Sequence, residues 1–187
     1  MKKILSCIIA GFALVLMGCA SGAKVSSSPA EIEAMDNLVS SRSFEITAQW
    51  ARPMPSQALN SISNAGMLPN GSNASRVDIN GNGSYLRVIG DVVKADLPFF
   101  GERQMSGGYD QQRTGIQFDG VPEDLQIEAN SKTKGYTMRF SINNGTETFQ
   151  VVAQLFPSRS STFSIVSSHR AQIRYEGRLS EYVEEEE

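Results

Sequence analysis

The sequence predicts a mainly β protein: an antiparallel curved sheet or partly open barrel of about nine or ten strands, with one N-terminal amphipathic helix. Three observations lead there. Apolar and polar residues alternate in segment after segment between Phe44 and Leu179. Clusters of Asn, Gly, Pro and Ser separate those segments. A single stretch just before them has helical spacing instead. Strict alternation is the pattern of a strand with one face buried and the other wet.

The elements follow in order. Residues 1–18 read as a secretory signal peptide. Lys2 and Lys3 precede an apolar run from Ile4 to Met17, 14 residues long, short of the roughly 20 that span a bilayer as a helix. The run ends in Leu16-Met17-Gly18-Cys19, which has the form of a bacterial lipobox. The small Gly18 lets a peptidase reach the bond before Cys19, whose sulfur then takes a diacylglycerol. Cys7 leaves with the signal peptide and Cys19 carries lipid, so no disulfide can form and stability must come from the core. Residues 19–29 are small and polar, a flexible tether.

Residues 30–180 are expected to form the β domain. Ile32, Met35, Leu38 and Val39 share one helical face, with Ser28 and Pro29 as the start signal and Glu31 and Glu33 in the first turn. The period then changes to two. One stripe holds Phe44, Ile46, Ala48 and Trp50, another Tyr136, Met138, Phe140 and Ile142, a third Phe149, Val151, Ala153 and Leu155, and a fourth Ala171, Ile173, Tyr175, Gly177 and Leu179. Shorter runs lie at 77–79, 85–89, 116–118, 125–129 and 163–166. Asn143-Asn144-Gly145 and Asn80-Gly81-Asn82-Gly83 read as hairpin turns, because Asn-Gly accepts positive φ. Pro53 to Ser75 is the least regular stretch, an edge strand or loop. Residues 181–187, ending in four consecutive Glu, read as an acidic disordered tail.

Composition excludes much chemistry. One His and two Cys cannot build a His/Cys metal cage, and a formal charge of −3 gives no reason to bind nucleic acid. Asp78 to Gly83 imitates the start of a calcium loop, but Ile89 stands where the bidentate Glu belongs. Ser131-Lys132-Thr133-Lys134 matches S-x-x-K in a polar turn, without its partner motifs. His169, in a Ser-rich turn beside Arg170, lacks a G-x-S-x-G nucleophile. The four Asn-x-Ser/Thr sequons, at Asn70, Asn73, Asn82 and Asn144, read as turn chemistry. No cofactor, no metal and no catalytic residue is expected. Leu97-Pro98-Phe99-Phe100-Gly101 is the unusual string: a structural corner, where Pro98 stops pairing and an aromatic plugs the sheet end, or a binding patch.

Four strings together resemble a known family: Phe44-Glu45-Ile46-Thr47-Ala48-Gln49-Trp50-Ala51-Arg52-Pro53, Leu97-Pro98-Phe99-Phe100-Gly101, Gly115-Ile116-Gln117-Phe118, and Ser167 to Gly177, SSHRAQIRYEG. They look like the Gram-negative lipoprotein family designated domain of unknown function 4251 (DUF4251). Phe99 stands where that family commonly has Tyr, so a phenol hydroxyl has no counterpart here. The resemblance implies a small, mainly-β envelope lipoprotein with no assigned function and no catalytic residues to carry over.

The expected function is therefore a non-enzymatic binding or structural module. It would be anchored to the membrane through Cys19, on the outer membrane facing the periplasm, with an envelope protein, a glycan or an apolar ligand as partner. A lipid or lipoprotein carrier would need an apolar cavity under the helix. A carboxylate hydrolase would need two converging acids in a cleft.

Overall fold

The computed structural model describes residues 27–104 and 115–184. Cys19, the lipobox and the final Glu residues lie outside the described residues. Helix α1 (Pro29–Ser41) begins with the expected signal made complete. Ser28 accepts from the Glu31 backbone N–H, Glu31 accepts from the Ser28 backbone N–H, and Pro29 opens the helix. Its apolar face buries Met35, Leu38 and Val39. Arg42, left-handed at φ 51°, stops the helix and starts the sheet.

Among the described residues there are ten strands, all paired antiparallel: β1 (Ser43–Pro53), β2 (Val77–Asp78), β3 (Tyr85–Ile89), β4 (Val92–Leu97), β5 (Ile116–Gly120), β6 (Glu123–Asn130), β7 (Gly135–Asn144), β8 (Glu147–Leu155), β9 (Ser160–Ser167) and β10 (Ile173–Glu181). Nine lie in the order β5-β4-β3-β1-β10-β9-β8-β7-β6, and β2 adds a short pairing to β1. The sheet curls so that its end strands come near each other without pairing. Only Val121 and Pro122 separate β5, which pairs with β4, from β6, which pairs with β7. Asn144 Nδ2 donates to Gln117 O at 2.6 Å across the seam. A half-barrel results, and the inward residues of every strand merge with α1 into one contiguous apolar core. Phe118, on the end strand β5, is buried in it, 6.0 Å edge-on from Phe140 and 5.6 Å from Phe149.

The barrel has two ends. At the helix end lie α1, the β3–β4 turn, where Gly90 N–H donates to Arg42 O, and the β8–β9 turn, where Arg159 Nη2 donates to Ala34 O. At the opposite end lie the Leu97–Gly101 string, Gly115, the β7–β8 hairpin and the β9–β10 loop.

Several sequence expectations need correcting. The stripe through Trp50 breaks. The β1–β10 register shifts between Ala48 and Trp50, so Ala51 and Pro53 point inward and Trp50 turns outward, with the Arg76 guanidinium 3.7 Å from its ring centre. The Asn80–Gly83 segment is not a hairpin turn. β2 and β3 do not pair with each other; both pair with β1, one beyond the other, and the glycine-rich link carries the chain along the same edge. The irregular stretch after Pro53 contains a helix, α2 (Gln57–Asn64), capped by Ser56 and burying Leu59. It is too short and too rich in Ser and Asn for a periodicity to show. The ladder also runs into the stretch assigned to the acidic tail. Glu181 closes β10, Tyr182 N–H donates to Ser43 O, and Ser43 Oγ donates to Tyr182 O.

Candidate functional site

The Leu97–Gly101 string occupies the barrel end opposite α1. Leu97 is the last residue of β4 and fully buried. Pro98 has no N–H, so the ladder ends there. Its carbonyl accepts a 2.8 Å hydrogen bond from the Tyr175 hydroxyl. Tyr175 is fully buried, and its ring stacks on Phe163 at 5.0 Å. Burial pushes its phenol pKa far up, so the hydroxyl keeps its proton and acts as a donor. Phe99 and Phe100 are half-buried and pack against the core rather than within it. The Phe99 ring folds over Gly101, where an added Cβ would lie 2.9 Å from Cζ. A side chain at 101 would have to push the ring aside.

A buried ion pair braces the same end. Arg170 is 6% exposed. Its Nε and Nη2 hold both oxygens of Glu147 at 2.8 and 3.0 Å, and Nη1 donates to Gly115 O at 2.7 Å. Its guanidinium carbon lies 5.4 Å from the Phe99 ring centre. The Ser167 hydroxyl also donates to Glu147. One arginine therefore ties together the start of β8, the entry to β5 and the Phe99 corner. Burial alone would raise the Glu147 pKa, but the hydrogen bonds from Arg170 and Ser167 outweigh it and hold the carboxyl below its usual range. The position before β5 must be glycine, since a Cβ at Gly115 would lie 2.7 Å from Leu97 O.

Beside this brace opens a cleft of about 410 Å³, lined by Asn82, Ser84, Asp96, Pro98, Phe99, Phe100 and Gln117 among others. Asp96 is exposed, and Gln117 Nε2 donates to it at 3.1 Å. A carboxylate residue, two amide residues and a serine line the cleft together with two aromatic residues. Such a set can bond hydroxyl groups and cover an apolar ring face. Sequence reasoning singled out Leu97 to Gly101 but missed Asn82, Asp96 and Gln117, which come from three separate segments. Pro98 marks the end of pairing, but nothing local marks its polar neighbours.

The other motifs take structural places. Asp78 Oδ1 accepts from Asn80 N–H at 2.9 Å within its turn. The Asn130 side chain accepts from Lys132 and Thr133 N–H in the β6–β7 turn. His169 N–H donates to Ser167 Oγ, and its carbonyl accepts from Gln104 N–H. Among the described residues no cluster of three His, Cys, Asp or Glu could hold a metal ion, and no helix is long and apolar enough to cross a membrane.

A family model described as a domain of unknown function (DUF4251) matches residues 27–179. The fold is similar to that in the 1.95 Å crystal structure of a DUF4251 family protein from Bacteroides eggerthii DSM 20697. The TM-score is 0.53 at 14% identity, covering 81% of this chain and 88% of that one. No curated protein matches the chain.

Proposed function

The chain belongs to the DUF4251 family, and on that premise, which fixes no activity, we propose a lipid-anchored envelope protein that binds a polar, carbohydrate-type ligand, without chemistry, in the cleft beside Phe99 and Phe100. The observation that carries this reading is the lining of the cleft. Asp96, Gln117 and Asn82 face hydroxyl-bonding work next to two half-buried rings, on a corner held rigid by Tyr175 and Arg170. Preorganised polar groups beside an aromatic wall are what a binding site needs to repay the loss of ligand freedom.

Two features weigh against the alternatives. Asp96 is the single carboxylate among the cleft's lining residues, and the common route of glycoside hydrolysis needs two. The inward positions are taken up by the contiguous apolar core, which favours binding on the outside over carriage within. Lipidation at Cys19 rests on the lipobox. The tether would then enter at the helix end, with the cleft turned away from the membrane and, in an outer-membrane protein, toward the periplasm.

A backbone-shift titration of the full chain in non-ionic detergent with neutral oligosaccharides of several linkages tests the cleft. Shifts are expected at Asn82 to Ser84, Asp96 to Gly101 and Gln117. Asp96→Ala is expected to weaken binding about tenfold, the scale of one charge-assisted hydrogen bond, with unchanged melting. Shifts confined to another surface, or cleavage of the sugar, would refute it. For the anchor, Cys19→Ser is expected to abolish palmitate labelling and release the protein from membranes; a variant that still labels refutes the lipobox.

A further inference from the structure

The outer wall of the sheet carries a second feature, away from the cleft. The register aligns its outward side chains in rows across the strands. One row runs Arg52, Arg174, Ser164, Val152 and Arg139 over β1, β10, β9, β8 and β7. The next runs Trp50, Glu176, Thr162 and Gln154. Thr162 and Ser164, the outward residues of β9 at this point, are small, so they form the floor of a groove of about 300 Å³ between taller walls on β10 and β8.

The charge in this groove is out of balance. Arg52 and Arg174 face each other directly across β1 and β10, a like-charge pairing that costs stability. Glu176 is the one acid among the groove's lining residues, and it is shared. Arg52 Nε holds one oxygen at 2.5 Å, while Arg76 Nη2 lies 3.6 Å from the other. Arg76 Nε has no hydrogen-bond partner. Arg174 is exposed and makes no side-chain hydrogen bond or ion pair among the described residues. Asp78, next to Trp50 in its row, accepts a hydrogen bond from Asn80 N–H in its own turn. A positive groove on a chain of net charge −3 is a local feature, not a reflection of overall charge.

The neighbours of the arginines narrow the ligand. Thr162, Ser164 and Gln154 supply hydroxyl and amide groups along the floor and far wall. Both edges of β9 and β10 are already paired, so an extended peptide cannot add as a strand. The lining offers one aliphatic side chain on the outer face, Val152, too little for an acyl chain. We infer that this groove binds an acidic oligosaccharide, with Arg174 and Arg52 forking onto its carboxylate or sulfate groups and Thr162, Ser164 and Gln154 bonding its hydroxyls. The inference does not rest on the cleft.

Calorimetry on the full chain in non-ionic detergent tests it, with four probes: an oligogalacturonate, a sulfated dextran fragment, neutral dextran of equal length, and phosphatidylglycerol vesicles. At least one acidic sugar is expected to bind, more weakly as salt rises, with neutral dextran at least about tenfold weaker; the tighter of the two acidic probes names the anion. Arg174→Gln is expected to weaken binding about fivefold or more while melting like the parent, and Glu176→Gln to strengthen binding by freeing two arginines. Equal binding of neutral dextran, an unchanged Arg174→Gln or a weakened Glu176→Gln would overturn the proposal. So would vesicle binding stronger than either sugar, which would make the groove a lipid-facing patch.

Discussion

The two ends of the half-barrel are closed by opposite physics. At the helix end, α1 lays Met35, Leu38 and Val39 on the core. Its main hold is apolar area, which is non-directional; the Tyr136 hydroxyl adds a bond to Asp36 and Arg159 Nη2 one to Ala34 O. At the cleft end the chain is irregular, and direction does the holding. Tyr175 donates to Pro98 O, and Arg170 grips Glu147 and Gly115 O. An apolar plug tolerates small shifts in its neighbours. A forked ion pair and a buried phenol fix positions to hydrogen-bond accuracy, which is what a recognition corner requires. The difference teaches that rigidity has been placed where a ligand is proposed to bind, at the cost of desolvating two charges.

That contrast can be broken from either side. The largest effect is expected at Arg170. Truncating it strands a buried carboxylate, and Arg170→Ala should cost about 3–5 kcal/mol in urea melts. The paired change Arg170→Met with Glu147→Leu should recover most of that loss, since a buried pair is often replaceable by apolar packing. The double variant should nevertheless lose cleft binding if the corner loosens. Next is Phe99→Ala. The ring is half-buried, so about 2 kcal/mol is expected, less than the 3–5 kcal/mol of a fully buried Phe. A loss under about 0.5 kcal/mol would mark the ring as surface rather than corner. The smallest effect belongs to the helix end. Ser28→Ala removes the cap that accepts from Glu31 N–H and should cost about 1 kcal/mol, leaving the cleft untouched.

The same contrast explains what could be read from the sequence. Closure by α1 is local: a cap, a Pro and a helical apolar face lie within one stretch of chain. The strands β7 and β8 and the turn at Gly145, φ +64°, are equally local, and their alternation shows them. The brace is not. Glu147 and Arg170 are 23 residues apart, and an arginine in a Ser-rich loop looks like any solvated arginine. The cleft shares this property, because Asn82, Asp96 and Gln117 meet only after three strands pair. The outward turn of Trp50 depends on one extra residue opposite Gly177, which no period-two count reveals. The strand Val92–Leu97 does not stand out because its inward residues, Val93, Ala95 and Leu97, run straight into the proline string.

The claim that charge holds the cleft end while apolar area holds the helix end is tested most directly by hydrogen exchange against pH. The lowered pKa of Glu147 sets the sign. Its contribution is fully present above the ordinary glutamate value of 4.5 and is lost as pH falls through the depressed folded value. Protection factors, corrected for intrinsic rates, should be followed at Gln104, Thr148 and Ala171 near the brace, and at Arg42 and Gly90 beside α1. On acidification the first three amides should lose protection while the last two keep theirs. Simultaneous loss at both ends, or protection at the brace that survives protonation of Glu147, would contradict the account.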